Sequence, residues 1–156
     1  MVVIATKIRR YIVNIKFHDY ISIKIHKTDL NLTSYIKSKL EEFNLAPEQN
    51  LVMMLLWEKD GLTQNQLAER LGKDKTNLAR MASSLEKKGF IKRTSCQNDR
   101  RSLKLHLTEV GNELGCKVLP IAEEFNRIVC KGISQAEIKE LERLLTKINE
   151  NVQRER

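Results

Sequence analysis

Five residues at helical spacing, Lys73, Thr76, Arg80, Ser83 and Lys87, are where this chain could do chemistry. Advancing 100° per residue gathers them on one side of a helix from about Asp74 to Lys88, opposite Leu78, Met81, Ala82 and Leu85. That side holds three cations, two hydroxyls and no carboxylate. An ordinary solvated helix more often sets Glu opposite Lys at four-residue spacing. A surface that meets nucleic acid needs the composition seen here. Arg80 can grip guanine O6 and N7, the hydroxyls can meet bases or phosphates, and Lys73 and Lys87 suit backbone phosphates. A second cationic element follows in Gln97-Asn98-Asp99-Arg100-Arg101. Asp99 can hold the Arg101 guanidinium in a fixed pose, ready for a narrow minor groove where negative potential is greatest. The same residues would also make a plain β-turn.

Other chemistries find little support. His18, His26 and His106 lie far apart and form no metal-binding spacing. Neither a nucleophile–base pair, nor paired catalytic carboxylates, nor a glycine-rich phosphate loop is present in the sequence, so no enzyme, cofactor or metal is expected. The three cysteines are too scattered for a disulfide framework or a zinc pattern. Cys96 sits beside Arg93, Arg100 and Arg101, where a thiol pKa can fall. It is a candidate redox residue, or simply a small side chain in a turn. Cys116 and Cys130 are expected at packing positions.

The charge is concentrated. Residues 61–105 carry 11 basic and 4 acidic side chains, a net +7 out of +8 for all 156 residues. Each cation set against a phosphate releases condensed counterions, so a polyanion is the natural partner. Charge alone leaves DNA, RNA and anionic lipid open. No apolar run approaches the roughly 18 residues of a membrane span, and the N-terminus lacks the apolar core of a signal peptide. The chain reads as cytoplasmic, reduced and without a membrane partner. With 41% hydrophobic residues it can fill a core, and 2 Pro and 6 Gly argue against an all-β fold.

The elements that must position these residues are mostly helical. Ile21, Ile25, Thr28, Leu32, Ile36, Leu40 and Phe43 recur at three and four residues, although Ile21-Ser22-Ile23-Lys24-Ile25 also alternates like a strand. Pro47 suits the first turn of a helix whose apolar run, Leu51–Trp57, predicts burial. Thr63 and Gln66 form a capping box for a short helix, Gln64 to Leu71, stopped by Gly72. Asp74 caps the next helix. Two helices so tightly joined must cross steeply, as in a helix-turn-helix. Phe90–Arg93 reads as a strand, Thr94 to Arg101 as polar loop, and Ser102–Leu107 as a second strand, giving a hairpin with a basic tip. Thr108 caps a long helix with Val110, Leu114, Val118, Ile121, Phe125 and Ile128 on one stripe, kinked at Pro120. Ser134 and Glu137 cap a last helix with Ile138, Leu141, Leu145, Ile148 and Val152.

Several of these segments together resemble the MarR family, bacterial and archaeal winged helix-turn-helix transcription regulators. They are Gly61-Leu62-Thr63-Gln64-Asn65-Gln66-Leu67-Ala68-Glu69-Arg70-Leu71-Gly72, Leu85-Glu86-Lys87-Lys88-Gly89-Phe90-Ile91-Lys92-Arg93, Asp99-Arg100-Arg101 and Leu107-Thr108-Glu109-Val110-Gly111. Phe43–Gln49 also resembles that family's junction between its first two helices. The resemblance runs from about Ile21 to the C-terminus. It implies a homodimer joined through the terminal helices, a recognition role for Lys75, Thr76, Asn77 and Arg80, and a wing role for Asp99, Arg100 and Arg101. It also implies small-molecule control, with Tyr35, Met53, Met54 and Trp57 as candidate lining; each of these residues reads more simply as ordinary core. The family's peroxide-sensing branch places a cysteine early in the first long helix. An ungapped reading finds Ser22 there, so that mechanism is not expected.

The combined expectation is a mainly α fold with a small β-wing. Residues 1–20 are an extension of unassigned role, 21–46 and 108–156 a helical dimerisation domain, and 47–107 a winged helix-turn-helix DNA-binding domain. The expected function is a MarR-type transcriptional regulator, a repressor binding double-stranded DNA at an inverted repeat as a homodimer. Its recognition helix would enter the major groove and its wing the minor groove, with release by a small-molecule effector. The alternative is a winged-helix module that binds RNA or a protein partner.

Overall fold

The structure is a computed structural model that describes residues 16–96 and 99–155; for Cys96 and residues 99–101 it describes the backbone alone. The chain divides into two compact units, residues 1–47 and 48–156. In the first, a 3-10 turn at Phe17–Asp19 precedes α1 (Ile21–Leu40), and a second 3-10 turn follows at Glu41–Phe43. The alternation at Ile21–Ile25 does not make a strand. Three-four spacing continuing to Leu40 outweighs five residues of period two. Asn44 ends this unit's helical run in the left-handed region, φ 52°, a conformation its short polar side chain tolerates. Of the extension at residues 1–20, only residues 16–20 are among those described.

The second unit holds α2 (Pro47–Glu58, entered at the boundary), α3 (Gln64–Leu71), α4 (Lys75–Lys87), β1 (Ile91–Cys96), β2 (Asp99–Leu107), α5 (Glu109–Val129) and α6 (Gln135–Arg154). Its core takes Val52, Met53 and Leu56 from α2 and Leu67 and Ala68 from α3. Leu78, Met81, Ala82 and Leu85 enter it from α4, with Ile91, Leu105, Leu114 and Val118. The four α4 residues are those the spacing assigned to the core. The Leu51–Trp57 run, by contrast, is not buried throughout. Leu51 is 45% exposed and Met54 38%, because a continuous apolar run on a helix necessarily shows some of itself to each side.

Capping chemistry fixes the helix starts. Thr63 and Gln66 satisfy each other's backbone N–H groups at α3, and Ser134 and Glu137 do the same at α6. Gly72 closes α3 at φ 60°, where a side chain would be strained. The strands pair antiparallel from Ile91↔Leu107 to Ser95↔Leu103, then slip to Cys96↔Asp99. The ladder therefore extends into Thr94–Arg101, read from sequence as loop. Two paired strands can project with polar side chains on both faces, which removes the alternation that marks a strand. A short segment before α3 also joins the sheet: the Leu105 N–H donates to Leu62 O (2.9 Å) and the Gly61 N–H to Leu105 O (3.1 Å). The hairpin tip, Gln97 and Asn98, lies outside the described residues.

α5 can dock only because of its glycines. A Cβ on Gly111 would stand 2.0 Å from Phe90 O, and one on Gly115 2.8 Å from Trp57 Nε1. Trp57 Nε1 donates to Gly111 O (2.9 Å) across this contact. Thr108 ties the helix start to the preceding turn, accepting from the Gly111 N–H and donating to Gly89 O. α5 then runs unbroken through Pro120. Cys116, expected to pack, is exposed on it, and Cys130 is half-buried at its end. No residue of α6 is buried.

Candidate nucleic-acid interface

α4 is built to show one face. Asp74 Oδ1 accepts the Asn77 N–H (2.8 Å) and sets the first turn, while Leu78, Met81, Ala82 and Leu85 anchor the inner side. The outer side then presents Lys75, Thr76, Arg80 and Lys87 to solvent. Arg80 Nη2 donates to Asn77 Oδ1 (3.2 Å), so these two candidates act as a pair, with the guanidinium steadied from its own helix. Lys75, Arg80 and Lys87 make no ion pair among the described residues.

Lys73 and Ser83 differ from the sequence reading. Lys73 precedes the cap, off the helix, and its Nζ meets Glu48 Oε1 at 2.5 Å. The face thus lacks a carboxylate, and Lys73 stands just before it, paired with Glu48 of α2. Ser83 is half-buried, and its Oγ accepts from Arg93 Nη2 (3.4 Å). Both residues hold the helix in place more than they extend its surface.

Three contacts that spacing did not reveal fix the orientation of α4. Gln49 on α2 donates to Ser84 Oγ (2.9 Å) and accepts from Lys88 Nζ (2.7 Å). Glu48, one residue earlier, takes Lys73, so the first turn of α2 engages both ends of the helix. Glu86 accepts from Arg93 on β1 through Nε (2.8 Å), Nη2 (2.5 Å) and the backbone N–H (3.0 Å). The Arg93 side chain, then its N–H, hold the Glu86 carboxyl below its ordinary pKa. The one carboxylate within α4 is thereby neutralised by the wing.

The stem of the wing is pinned at Asp60, whose carboxylate accepts the Leu107 N–H (2.7 Å) and faces His106 Nδ1 (3.1 Å). Burial raises this carboxyl, but the Leu107 and His106 contacts outweigh it and leave the pKa below the ordinary range. His106 is therefore occupied structurally, and among the described residues no cluster of His, Cys, Asp or Glu could hold a metal. The side chains of Cys96, Asp99, Arg100 and Arg101 lie outside the described residues.

A groove of about 390 Å³ opens beside the first turn of α4, where Gln64 and Asn65 of α3 and Ser102 and Leu103 of β2 face Lys75, Thr76 and Ala79. Sequence reading passed over Gln64 and Ser102, since α3 and β2 approach α4 only in the folded chain.

The candidate effector residues are more ordinary. Met53 is wholly buried in the core. Trp57 is committed to Gly111. Met54 Sδ accepts weakly from Asn50 (3.6 Å), and Tyr35 on α1 lies under Lys39 Nζ, 5.7 Å from its ring centre.

A helix, a tight turn, a second helix with one cationic face, and a two-stranded hairpin tied back to the turn before α3 define a winged helix-turn-helix protein. Known proteins extend this. The MarR family model matches residues 45–103. The chain is 30% identical over 108 residues to the organic hydroperoxide resistance transcriptional regulator of Bacillus subtilis (strain 168), covering 69% of this chain and 74% of that one. It is 35% identical over 98 residues to the transcriptional repressor MprA of Escherichia coli (strain K12), covering 63% of this chain and just over half, 56%, of MprA. The S. aureus MepR–DNA complex matches with a TM-score of 0.79 at 25% identity, over 85% of this chain and 98% of that one. The chain belongs to the MarR family. No helix among its described residues is long and apolar enough to cross a membrane.

Proposed function

We propose that this chain is a DNA-binding transcriptional repressor that reads an inverted repeat as a homodimer. The observation that carries the reading is the outer face of α4. It presents Lys75, Thr76, Arg80 and Lys87 to solvent, with no carboxylate partner among the described residues, on a helix whose inner face is wholly buried. Arg80 and Asn77 meet base edges in the major groove, Lys75 and Lys87 meet phosphates, and Asp99, Arg100 and Arg101 carry the wing to the flanking minor groove. The DNA in the MepR complex supports duplex DNA as the partner.

Residues 21–46 and 108–156 are the proposed dimerisation segments. α6 supports this, since Leu141, Leu144, Leu145 and Val152 are all exposed in the single chain. A twofold pair would set two recognition helices about 34 Å apart, one turn of duplex. Repression follows by occluding a promoter, and an effector that favours another spacing of the two helices would release the DNA.

The test is selection of bound fragments from random duplex DNA, followed by binding in the presence of candidate ligands and oxidants. Recovery of a palindromic consensus supports the reading. Steep salt dependence with no sequence preference would overturn it in favour of RNA or protein binding.

A further inference from the structure

We infer that the roll of α4 about its own axis, which decides which of its side chains face the bases, is set by two polar grips on opposite flanks of the helix: Gln49 from α2 and Arg93 from β1. Both are positioning residues for sequence discrimination, acting through the helix without contacting a base. The inference rests on the DNA reading above and goes beyond it, to what makes that reading selective.

Counting about 100° per residue with Arg80 at zero places Ser84 near about +40° and Lys88 near about +80°, with Ser83 near about −60° and Glu86 near about −120°. The first two lie on one flank of the outer face and the second two on the other. Gln49 takes the first flank. Its amide donates to Ser84 Oγ (2.9 Å) and accepts from Lys88 Nζ (2.7 Å). An amide suits this task because it donates and accepts from one rigid plane, and here it spans two residues one turn apart. Arg93 takes the second flank, with Nε and Nη2 on Glu86 (2.8 and 2.5 Å) and Nη2 also on Ser83 Oγ (3.4 Å). All six of these residues are half-buried, where a hydrogen bond is less open to competition from water.

The core alone does not set the roll this finely. Leu78, Met81, Ala82 and Leu85 determine which side of α4 faces inward, but apolar burial has no directional preference. With its outer surface about 5–6 Å from the axis, a helix that rolls by about 20° carries a side-chain tip about 2 Å. That exceeds the roughly 0.5 Å range of a good N–H···O bond. A guanidinium set against a base edge loses its paired geometry under such a shift, whereas a flexible lysine still reaches a phosphate. Loss of a grip therefore costs sequence preference before it costs general affinity for duplex.

The experiment measures affinity for the selected inverted repeat and for a random duplex, with the salt slope and the thermal midpoint, in wild type and in single variants of each grip. Gln49→Leu removes the amide without changing charge. It should weaken the selected repeat about tenfold while the random duplex and the salt slope stay as in wild type. Repeating the selection should show relaxed preference at the bases read by α4, with the positions flanking the wing kept. Arg93→Lys keeps the charge but loses the planar fork, and should give the same split from the other flank. Adding Ser84→Ala to Gln49→Leu should cost nothing further. Gln49→Glu still accepts from Ser84 Oγ and Lys88 Nζ, so it should restore the ratio of the two affinities. Ser84→Ala alone should give a weaker form of the split and stands in if Gln49→Leu misfolds.

A fall in both affinities together with the thermal midpoint would make the grips structural only and overturn this inference. An unchanged ratio of the two affinities in Gln49→Leu and Arg93→Lys would overturn it as well, and so would a Gln49→Glu variant as unselective as Gln49→Leu. In each of these cases a wild type that selects an inverted repeat leaves the DNA reading intact. A wild type that prefers no sequence would overturn both.

Discussion

α4 and α6 are both amphipathic helices of the same unit, and each leaves something different unfinished. α4 buries its whole apolar side but shows Lys75, Arg80 and Lys87 without ion-pair partners among the described residues. α6 does the reverse. Its four cations are offset by four carboxylates, two of them in local pairs, Arg143 with Glu140 and Arg154 with Glu150, while its apolar stripe is buried nowhere in the single chain. Arg127 and Glu124 near the end of α5 pair in the same way as those of α6. Charge left unbalanced calls for a polyanion, and apolar surface left uncovered calls for protein. One chain thus carries two kinds of incompleteness, and each points to its own partner.

The largest effect should come from the apolar side. Leu141→Glu combined with Leu145→Glu places two charges where a second copy is proposed to pack, at positions exposed in the monomer, so the subunit itself should still fold. Sedimentation should show a monomer, and affinity for the inverted repeat should fall at least about a hundredfold, because two linked half-sites become independent. A well-behaved dimer with normal affinity would break the comparison on the α6 side. Next in size, Arg80→Ala should cost roughly 1–3 kcal/mol and relax preference at the contacted base, read by repeating the selection. Retained affinity and preference would remove α4 as the reader.

How much of this was legible in the sequence depends on the range of the interactions. The capping boxes at Thr63/Gln66 and Ser134/Glu137, the stop at Gly72 and the buried side of α4 are set within one or two helical turns, and their spacing displays them. The Lys73–Glu48 pair was not legible because the two residues lie 25 apart in sequence. Separations of 35 and 39 residues hid the contacts of Gln49, and Arg93, only 7 residues from Glu86, meets it because the chain turns back from α4 into β1. The polar part of the wing looked like loop because neighbouring residues such as Thr94 and Ser95 are both exposed, which leaves no hydrophobic alternation to show. Gly111 stood out only as part of a familiar segment; its reason, the 2.0 Å approach that a Cβ would make to Phe90 O, is tertiary.

A smaller effect sharpens how the charge on α4 is managed. Glu86 is half-shielded, and Arg93 holds its carboxyl below the ordinary 4.5. A depressed carboxylate contributes stability that is fully present above the unfolded pKa and lost as pH falls through the lower folded value. Glu86→Gln should therefore destabilise the fold by less than about 1 kcal/mol at neutral pH, the partial exposure discounting the pair. The difference from wild type should vanish in acid, below the folded pKa. Thermal melts across that window read it directly. A difference that grew on acidification would contradict the sign.

The smallest and most direct test neutralises one cation on each helix. Lys87→Gln and Arg143→Gln each remove a single positive charge from an exposed position, so any effect of net charge alone is common to both. Arg143 already satisfies Glu140 through Nε (2.8 Å) and Nη2 (2.7 Å), whereas Lys87 faces solvent alone among the described residues. If counterion release at α4 drives binding, Lys87→Gln should lower the slope of log K against log salt by about 1 and weaken every duplex alike. Arg143→Gln should leave that slope unchanged. Equal slopes for the two variants would mean that long-range attraction by the whole chain, rather than contact at α4, sets the affinity, because a contact is local and the attraction counts charge wherever it sits.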